Sequence, residues 1–249
     1  MERAASLARF GNQVLGFIAS IMILLMLMYG GYSLWDVYVT YSGAFMSSDL
    51  LKFKPGEGAD NAPTFAELRA INEDVKAWIT IDKTHIDYPV LQGEDDMEYV
   101  NKDVYGEFSL SGAIFVSAYN EPDFSDPYNL LYGHHMDNGG MFGDVMEFIK
   151  EDYFNKHQTG KLYLPDATYD IEIYALVECD AYDKYIYNVK NANEDIQGLQ
   201  NYVKETATHY RDIGVTADDR IICLSTCVDA ATNGRAAVLG RLISTEQTG

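Results

Sequence analysis

Cysteine is scarce in this chain of 249 residues: there are three, Cys179, Cys223 and Cys227. An odd, low count argues against a disulfide framework. Cys223 and Cys227 stand four apart in a run that reads as a strand. At roughly 3.3 Å per residue their Cα atoms lie about 13 Å apart, whereas a disulfide needs less than about 7 Å. Cys227 is therefore a free thiol unless Cys179 reaches it. Basic residues are also few, 18 Lys and Arg against 38 Asp and Glu, for a net charge of −20. The first 35 residues carry +1 and the rest −21. A domain that acidic has no electrostatic footprint for nucleic acid and repels an anionic membrane surface. Its ordinary meaning is solubility. Proline is limited to six residues, and there is no Pro-rich or Ser-rich tract and no internal repeat.

What the chain does have is a long apolar run at its start. No charged residue occurs from Phe10 to Trp35, a run of 26. About 20 apolar residues span the hydrocarbon core of a bilayer. Arg3 and Arg9 precede the run and Asp36 follows it, so the positive-inside rule places the N-terminus in the cytoplasm and the remainder outside. A cleaved signal peptide has a shorter apolar region ending at small residues. This run ends in Tyr32, Leu34 and Trp35, which favours an uncleaved anchor. The organisation expected is a cytoplasmic start over 1–9, a transmembrane signal anchor over 10–35, a stalk over 36–63 and an exterior domain over 64–249.

The exterior part reads as mainly β with helical insertions. Thr64 with Glu67 three residues on predicts a capped helix to about Ile71, with a second turn near Glu73 to Ala77. Short strand-like runs follow at 78–81, 86–91, 112–118, 129–134, 161–164, 169–177, 220–227 and 235–243, mostly divided by turn residues. Eight strands are enough to close a small barrel filled by side chains. Nineteen Tyr and eleven Phe suit such a sheet. Residues 142–149 read as helical. So do 193–210, where Ile196, Leu199, Val203, Ala207 and Tyr210 recur at spacings of three and four.

Three strand ends carry residues with chemical potential. Cys227 ends the run Arg220-Ile-Ile-Cys-Leu-Ser-Thr-Cys227, where a strand meets a loop. Taken alone it reads more readily as a buried structural thiol than as a catalytic one. His134 ends Leu130-Leu-Tyr-Gly-His134, with Gly133 allowing close backbone approach. His135 follows directly, but neighbours on an extended chain face opposite ways, so a shared metal is not expected. Arg235 opens the last strand, eight residues after Cys227.

Leu224-Ser225-Thr226-Cys227 followed by Arg235 resembles the sortase signature Leu-x-Thr-Cys with its downstream Arg. Tyr132-Gly133-His134 with Gly140-Met141-Phe142 resembles the histidine segment of class B sortases. Ile71-Asn72-Glu73-Asp74, Trp78-Ile79, Ile86-Asp87-Tyr88-Pro89-Val90 and Gln92 are similar to the same class, as is a helix between the sixth and seventh strands. The match covers roughly residues 65–243. It implies an eight-stranded sortase-type β-barrel with N-terminal helices and a long helix before the seventh strand.

The resemblance also implies an activity. Sortases cleave a C-terminal sorting signal on a secreted protein and join it to an amine. Cys227 would be the nucleophile, His134 the general acid and base, and Arg235 the group that holds the substrate and stabilises the oxyanion. Ser225 and Thr226 match positions at the substrate; for Ser225 an ordinary strand serine is an equal reading. Class B enzymes typically prefer Asn-Pro-x-Thr-x signals, and the acceptor would be a peptidoglycan amine, or a pilin Lys in a pilus-building variant. No cofactor and no metal are implied. A cysteine endopeptidase and a non-catalytic surface module remain as rivals. The class often has Asp-Asn, then an aromatic and Leu, after the Gln; here the chain reads Asp95-Asp96-Met97-Glu98-Tyr99-Val100. That difference lies near the expected substrate groove and puts signal preference in question.

Overall fold

A computed structural model describes residues 2–42, 50–56, 61–227 and 233–245. The chain divides after Ser42 into two units. The first is one helix, α1 (Glu2–Ser42). Its stretch Arg9–Val39 has a mean hydropathy of 2.2 and is long and apolar enough to cross a membrane by length and composition. The helix carries on through Trp35 to Ser42, so the first part of the expected stalk is helical. Residues 43–49 and 57–60 of that segment lie outside the described residues.

The second unit is built on nine strands: β1 (Val75–Ile81), β2 (Asp87–Leu91), β3 (Ile114–Val116), β4 (Tyr128–Tyr132), β5 (Thr159–Tyr163), β6 (Thr168–Asp180), β7 (His209–Tyr210), β8 (Arg220–Cys227) and β9 (Gly234–Ser244). Their order is β5-β1-β2-β3-β4-β8-β9-β6-β7, and β5 also pairs with β6. That extra pairing closes eight strands into a barrel, as expected. The long β6 makes closure possible. Its first part, Thr168 to Glu172, registers with β5, and its later residues Ala175 and Leu176 take β7 on the same side. The β2–β3 and β4–β8 pairs are parallel and the remaining pairs antiparallel.

Period-two alternation sorts side chains to the two faces of the wall. On β8, Ile222 and Leu224 join an interior cluster to which all eight barrel strands contribute, including Ile79, Val90, Ile114, Leu131, Leu162, Ile173 and Val238. Ile221 and Cys223 face outward into a second cluster with Leu130, Val177, Leu239, Leu199 and Val203. The last two come from α5 (Ile196–Thr206), which follows two short helices, α3 (Glu151–Lys156) and α4 (Val189–Glu194). A third cluster sets Phe65 and Leu68 of α2 (Ala62–Ile71) against Trp78, Leu91 and Phe115. Both faces of β8 are therefore dry, so its sequence runs nearly continuously apolar.

Three local expectations are corrected. Asn61, not Thr64, precedes α2: its carbonyl accepts from Phe65 N–H at 3.0 Å. Its side chain donates to Leu164 O (3.2 Å) and Thr168 Oγ1 (3.1 Å), tying the helix start to the β5–β6 turn. The expected second helical turn is absent, because Val75 to Ala77 enter β1 and pair with β2. The single helix over 193–210 is instead α4, a break at Asp195, then α5, with β7 at its far end. The Asp195 side chain accepts from Gly198 N–H at 2.9 Å and caps a fresh helix. Ala207 and Tyr210 keep their apolar periodicity, but Tyr210 pairs with Ala175 on β6. Leu50 is buried in the third cluster and Lys54 bonds Asp87 at 2.6 Å, so this part of the expected stalk lies on the barrel.

Candidate active site

Three neighbouring strands bring the candidate residues to one end of the barrel. In the parallel β4–β8 ladder Tyr132 registers with Ser225, and Gly133 N–H donates to Ser225 O at 3.2 Å. His134 and Cys227 each stand two residues beyond that registered pair. In the antiparallel β8–β9 ladder Cys227 registers directly with Arg235. Opposite residues of such a ladder sit about 4.5–5.5 Å apart at Cα. Residues 228–232, most of the loop from Cys227 to Arg235, lie outside the described residues.

Gly133 is needed where it stands. A Cβ there would collide with Ile114 Cδ1 and come within 2.7 Å of the Phe142 ring. The close packing holds the backbone that carries His134. His134 Nε2 lies 2.8 Å from Val100 O. A carbonyl only accepts, so Nε2 carries the proton and Nδ1 is the nitrogen left to gain or lose one. His135 bonds Asp137 at 3.3 Å and lines a different hollow with His85 and Asp144.

His134 and Arg235 line a cleft of about 350 Å³ with Asp96, Val100, Tyr132, Tyr187, Ser225 and Thr226 among its other walls. Its floor is an aromatic ladder. Phe115 lies 5.3 Å from Tyr132, and Tyr132 stacks on Tyr187 at 6.5 Å. The Tyr187 and Ser225 hydroxyls bond at 2.7 Å, and Cys179 Sγ is 3.9 Å from the Tyr187 oxygen. Burial holds the Tyr132 and Tyr187 hydroxyls well above their usual range, so both stay protonated donors. Ser225 is thus buried and already engaged. Thr226 is buried, and its Oγ1 has no partner among the described residues. Tyr187 follows β6 in a segment with no periodic pattern, and nothing in the sequence singled it out. Asp96 and Val100 stand in the segment that the class resemblance places near the substrate groove, but the sequence assigns neither of them a role.

The other two cysteines are poor nucleophiles. Cys223 is fully buried, and burial pushes its thiol up to about 12. Burial likewise pushes Cys179 up to about 12. Both are free thiols. Cys179 registers with Arg235 from the β6 side, so its backbone is two strands from Cys227. At about 4.8 Å per strand that is about 10 Å, beyond disulfide reach. The alternative left open by the sequence, that Cys179 bridges Cys227, is excluded.

Comparison with known proteins decides the family. Residues 79–243 match the sortase domain. The chain belongs to the sortase family. It is 28% identical to Sortase B of Staphylococcus aureus over 235 residues, covering 91% of this chain and 96% of that protein. It is 31% identical to Sortase B of Listeria monocytogenes over 180 residues, covering 72% and 73%. Among solved structures, a Streptococcus pyogenes class B sortase involved in pilus biogenesis superposes with a TM-score of 0.67 at 40% identity, covering 72% of this chain and 97% of that one. The sortase assignment, class B, makes the protein a cysteine transpeptidase.

Proposed function

We propose that the protein is a membrane-anchored class B sortase that cleaves an Asn-Pro-x-Thr-x-like C-terminal signal after Thr and transfers the secreted protein to a peptidoglycan amine. The observation that carries this reading is the register of Cys227 with Arg235 on β9, beside the strand that leads to His134. The elimination of Cys179 and Cys223 by burial supports Cys227 as nucleophile.

In this reading the Cys227 thiolate adds to the Thr carbonyl carbon, and Arg235 donates to the oxyanion. The C–N bond to the next residue breaks, and protonated His134 gives the leaving amine its proton through Nδ1. A thioester remains. The incoming amine attacks it, Nδ1 takes the amine proton, and the thiolate leaves, so one amide bond replaces another and no cofactor is consumed. Thr226 lies beside the nucleophile and Ser225 reaches substrate through Tyr187. Residues 10–35 anchor the chain with 1–9 in the cytoplasm, and the barrel domain that follows works outside the cell. The apolar helix and the placement of Arg3 and Arg9 support that topology.

A second reading, in which a pilin Lys is the acceptor, is favoured by the 40% identity to the S. pyogenes enzyme of pilus biogenesis. One assay separates the two. The full chain in detergent is given Asn-Pro-x-Thr-x or Leu-Pro-x-Thr-Gly peptides with a Gly-rich, diaminopimelate-type or lysyl-peptide amine. A thioester adduct lost in Cys227→Ala, and joined product with one amine, supports transpeptidation and names the acceptor. Cleavage without joining to any amine would replace it with an endopeptidase. A thiol inert to both peptide and alkylating agent would favour a binding module.

A further inference from the structure

The cleft is electrically polar. Among its described lining residues Arg235 is the cation and Asp96 the carboxylate, and the aromatic ladder lies between them. Asp96 is half-buried and fixed. Its Oδ1 accepts from Ala118 N–H at 2.7 Å and its Oδ2 from Ser117 Oγ at 3.1 Å. An ionised carboxylate is a pure acceptor with about four lone-pair sites. Two donors from the wall leave lone-pair sites open among the described residues, and the side chain lines the cleft. The neighbouring Met97 is 71% exposed and forms an apolar rim.

We propose that Asp96 sets the charge preference of the sorting signal, accepting from an ammonium, guanidinium or carboxamide side chain at the position that lies over it and rejecting a carboxylate there. The inference rests on the transpeptidase reading and adds a specificity determinant to it. A donor takes up an open lone pair, whereas a carboxylate meets a like charge that two hydrogen bonds to the wall, one on each oxygen, hold in place. An amide at this place has both a donor and an acceptor. Asp96→Asn can keep Oδ1 on Ala118 N–H and turn its NH2 to the Ser117 oxygen, so the wall stays bonded while the charge is lost.

The test uses the full chain in detergent with peptides in which the Asn and each x of Asn-Pro-x-Thr-x carry in turn Lys, Gln and Glu. For the wild type, one position is expected to show Glu about tenfold below Lys and Gln in kcat/KM, the size of a like-charge contact in a partly screened site. Asp96→Asn should flatten the Glu-against-Lys ratio at that position and leave the ratios at the other positions as they are. Raising the salt concentration should narrow the same wild-type ratio, a readout that does not depend on the variant folding. A wild type indifferent to charge at every position, or a preference unchanged in Asp96→Asn, overturns the proposal while leaving transpeptidation intact. A wild type that forms no Cys227-dependent product with any peptide overturns the transpeptidase reading itself.

Discussion

Arg235 faces Cys227 across the β8–β9 ladder, residue to residue, while Cys179 takes the same register from the other side. The guanidinium is thereby carried on a strand paired on both edges, and Arg235 Nη1 also donates to Gly234 O at 3.0 Å. If this donor stabilises the oxyanion, Arg235→Ala should lower kcat by about 100-fold or more. Arg235→Lys should recover little, because an ammonium on a flexible stem does not reproduce a planar fork. Acyl-enzyme formation followed by quenched mass spectrometry would check this. A kcat within threefold of wild type for Arg235→Ala, by contrast, would remove Arg235 from the reaction.

The Val100 carbonyl assigns the His134 tautomer, so the neutral ring should carry its proton on Nε2. Nitrogen-15 NMR of histidine-labelled protein distinguishes the two tautomers directly. A neutral His134 protonated at Nδ1 would show that the Val100 bond does not persist in solution, and the proton transfer would have to be redrawn through Nε2.

Much of this was readable from local pattern. All eight barrel strands, and the three strand ends bearing Cys227, His134 and Arg235, follow from alternation and turn residues. What the sequence hid was set by tertiary contacts. Thr64 and Glu67 have the spacing of a capping box, yet Asn61 starts the helix because its side chain finds Leu164 O and Thr168 across the domain. Apolar periodicity ran on through Tyr210, but periodicity does not distinguish a helix face from a residue that leaves the helix and pairs with β6. Asp96 and Tyr187 belong to no periodic element, so only the folded chain shows that they share one cleft.

Gly133 is a steric requirement and not a hinge. Gly133→Ala should destabilise the protein by about 1–3 kcal/mol through overpacking against Ile114 and Phe142. The companion Ile114→Val removes the Cδ1 atom that the new methyl meets. The double variant should therefore melt above the sum of the two single effects, a coupling that denaturant titration of all four proteins would measure. Strict additivity would mean that the backbone has moved instead of the side chain.

Cys223 supplies a pH signature of the fold. Burial pushes its thiol from the ordinary cysteine range near 9 up to about 12. Between those values the native state keeps a proton that the unfolded chain has released. Stability is therefore fully present below about pH 9 and falls as pH rises, by about 1.4 kcal/mol per pH unit for one such group. Cys223→Ala should lower stability at neutral pH and flatten the fall above pH 9. An unchanged slope would mean that the buried tyrosines alone govern the alkaline limit.

The Tyr187 and Ser225 hydroxyls hold each other at 2.7 Å in the cleft wall, which lets the ring be separated from its oxygen. Tyr187→Phe keeps the stack on Tyr132 and leaves the buried Ser225 hydroxyl without its partner, at a cost of about 1–3 kcal/mol in stability. Tyr187→Phe with Ser225→Ala removes both ends and should regain part of that loss. If Tyr187 serves substrate as well as Ser225, the double variant should recover its melting temperature but not its KM for the Asn-Pro-x-Thr-x peptide. Recovery of both would make the pair purely structural. Recovery of stability alone would place the Tyr187 hydroxyl against the sorting signal, with the aromatic ladder as the surface on which the extended peptide lies between Asp96 and Arg235.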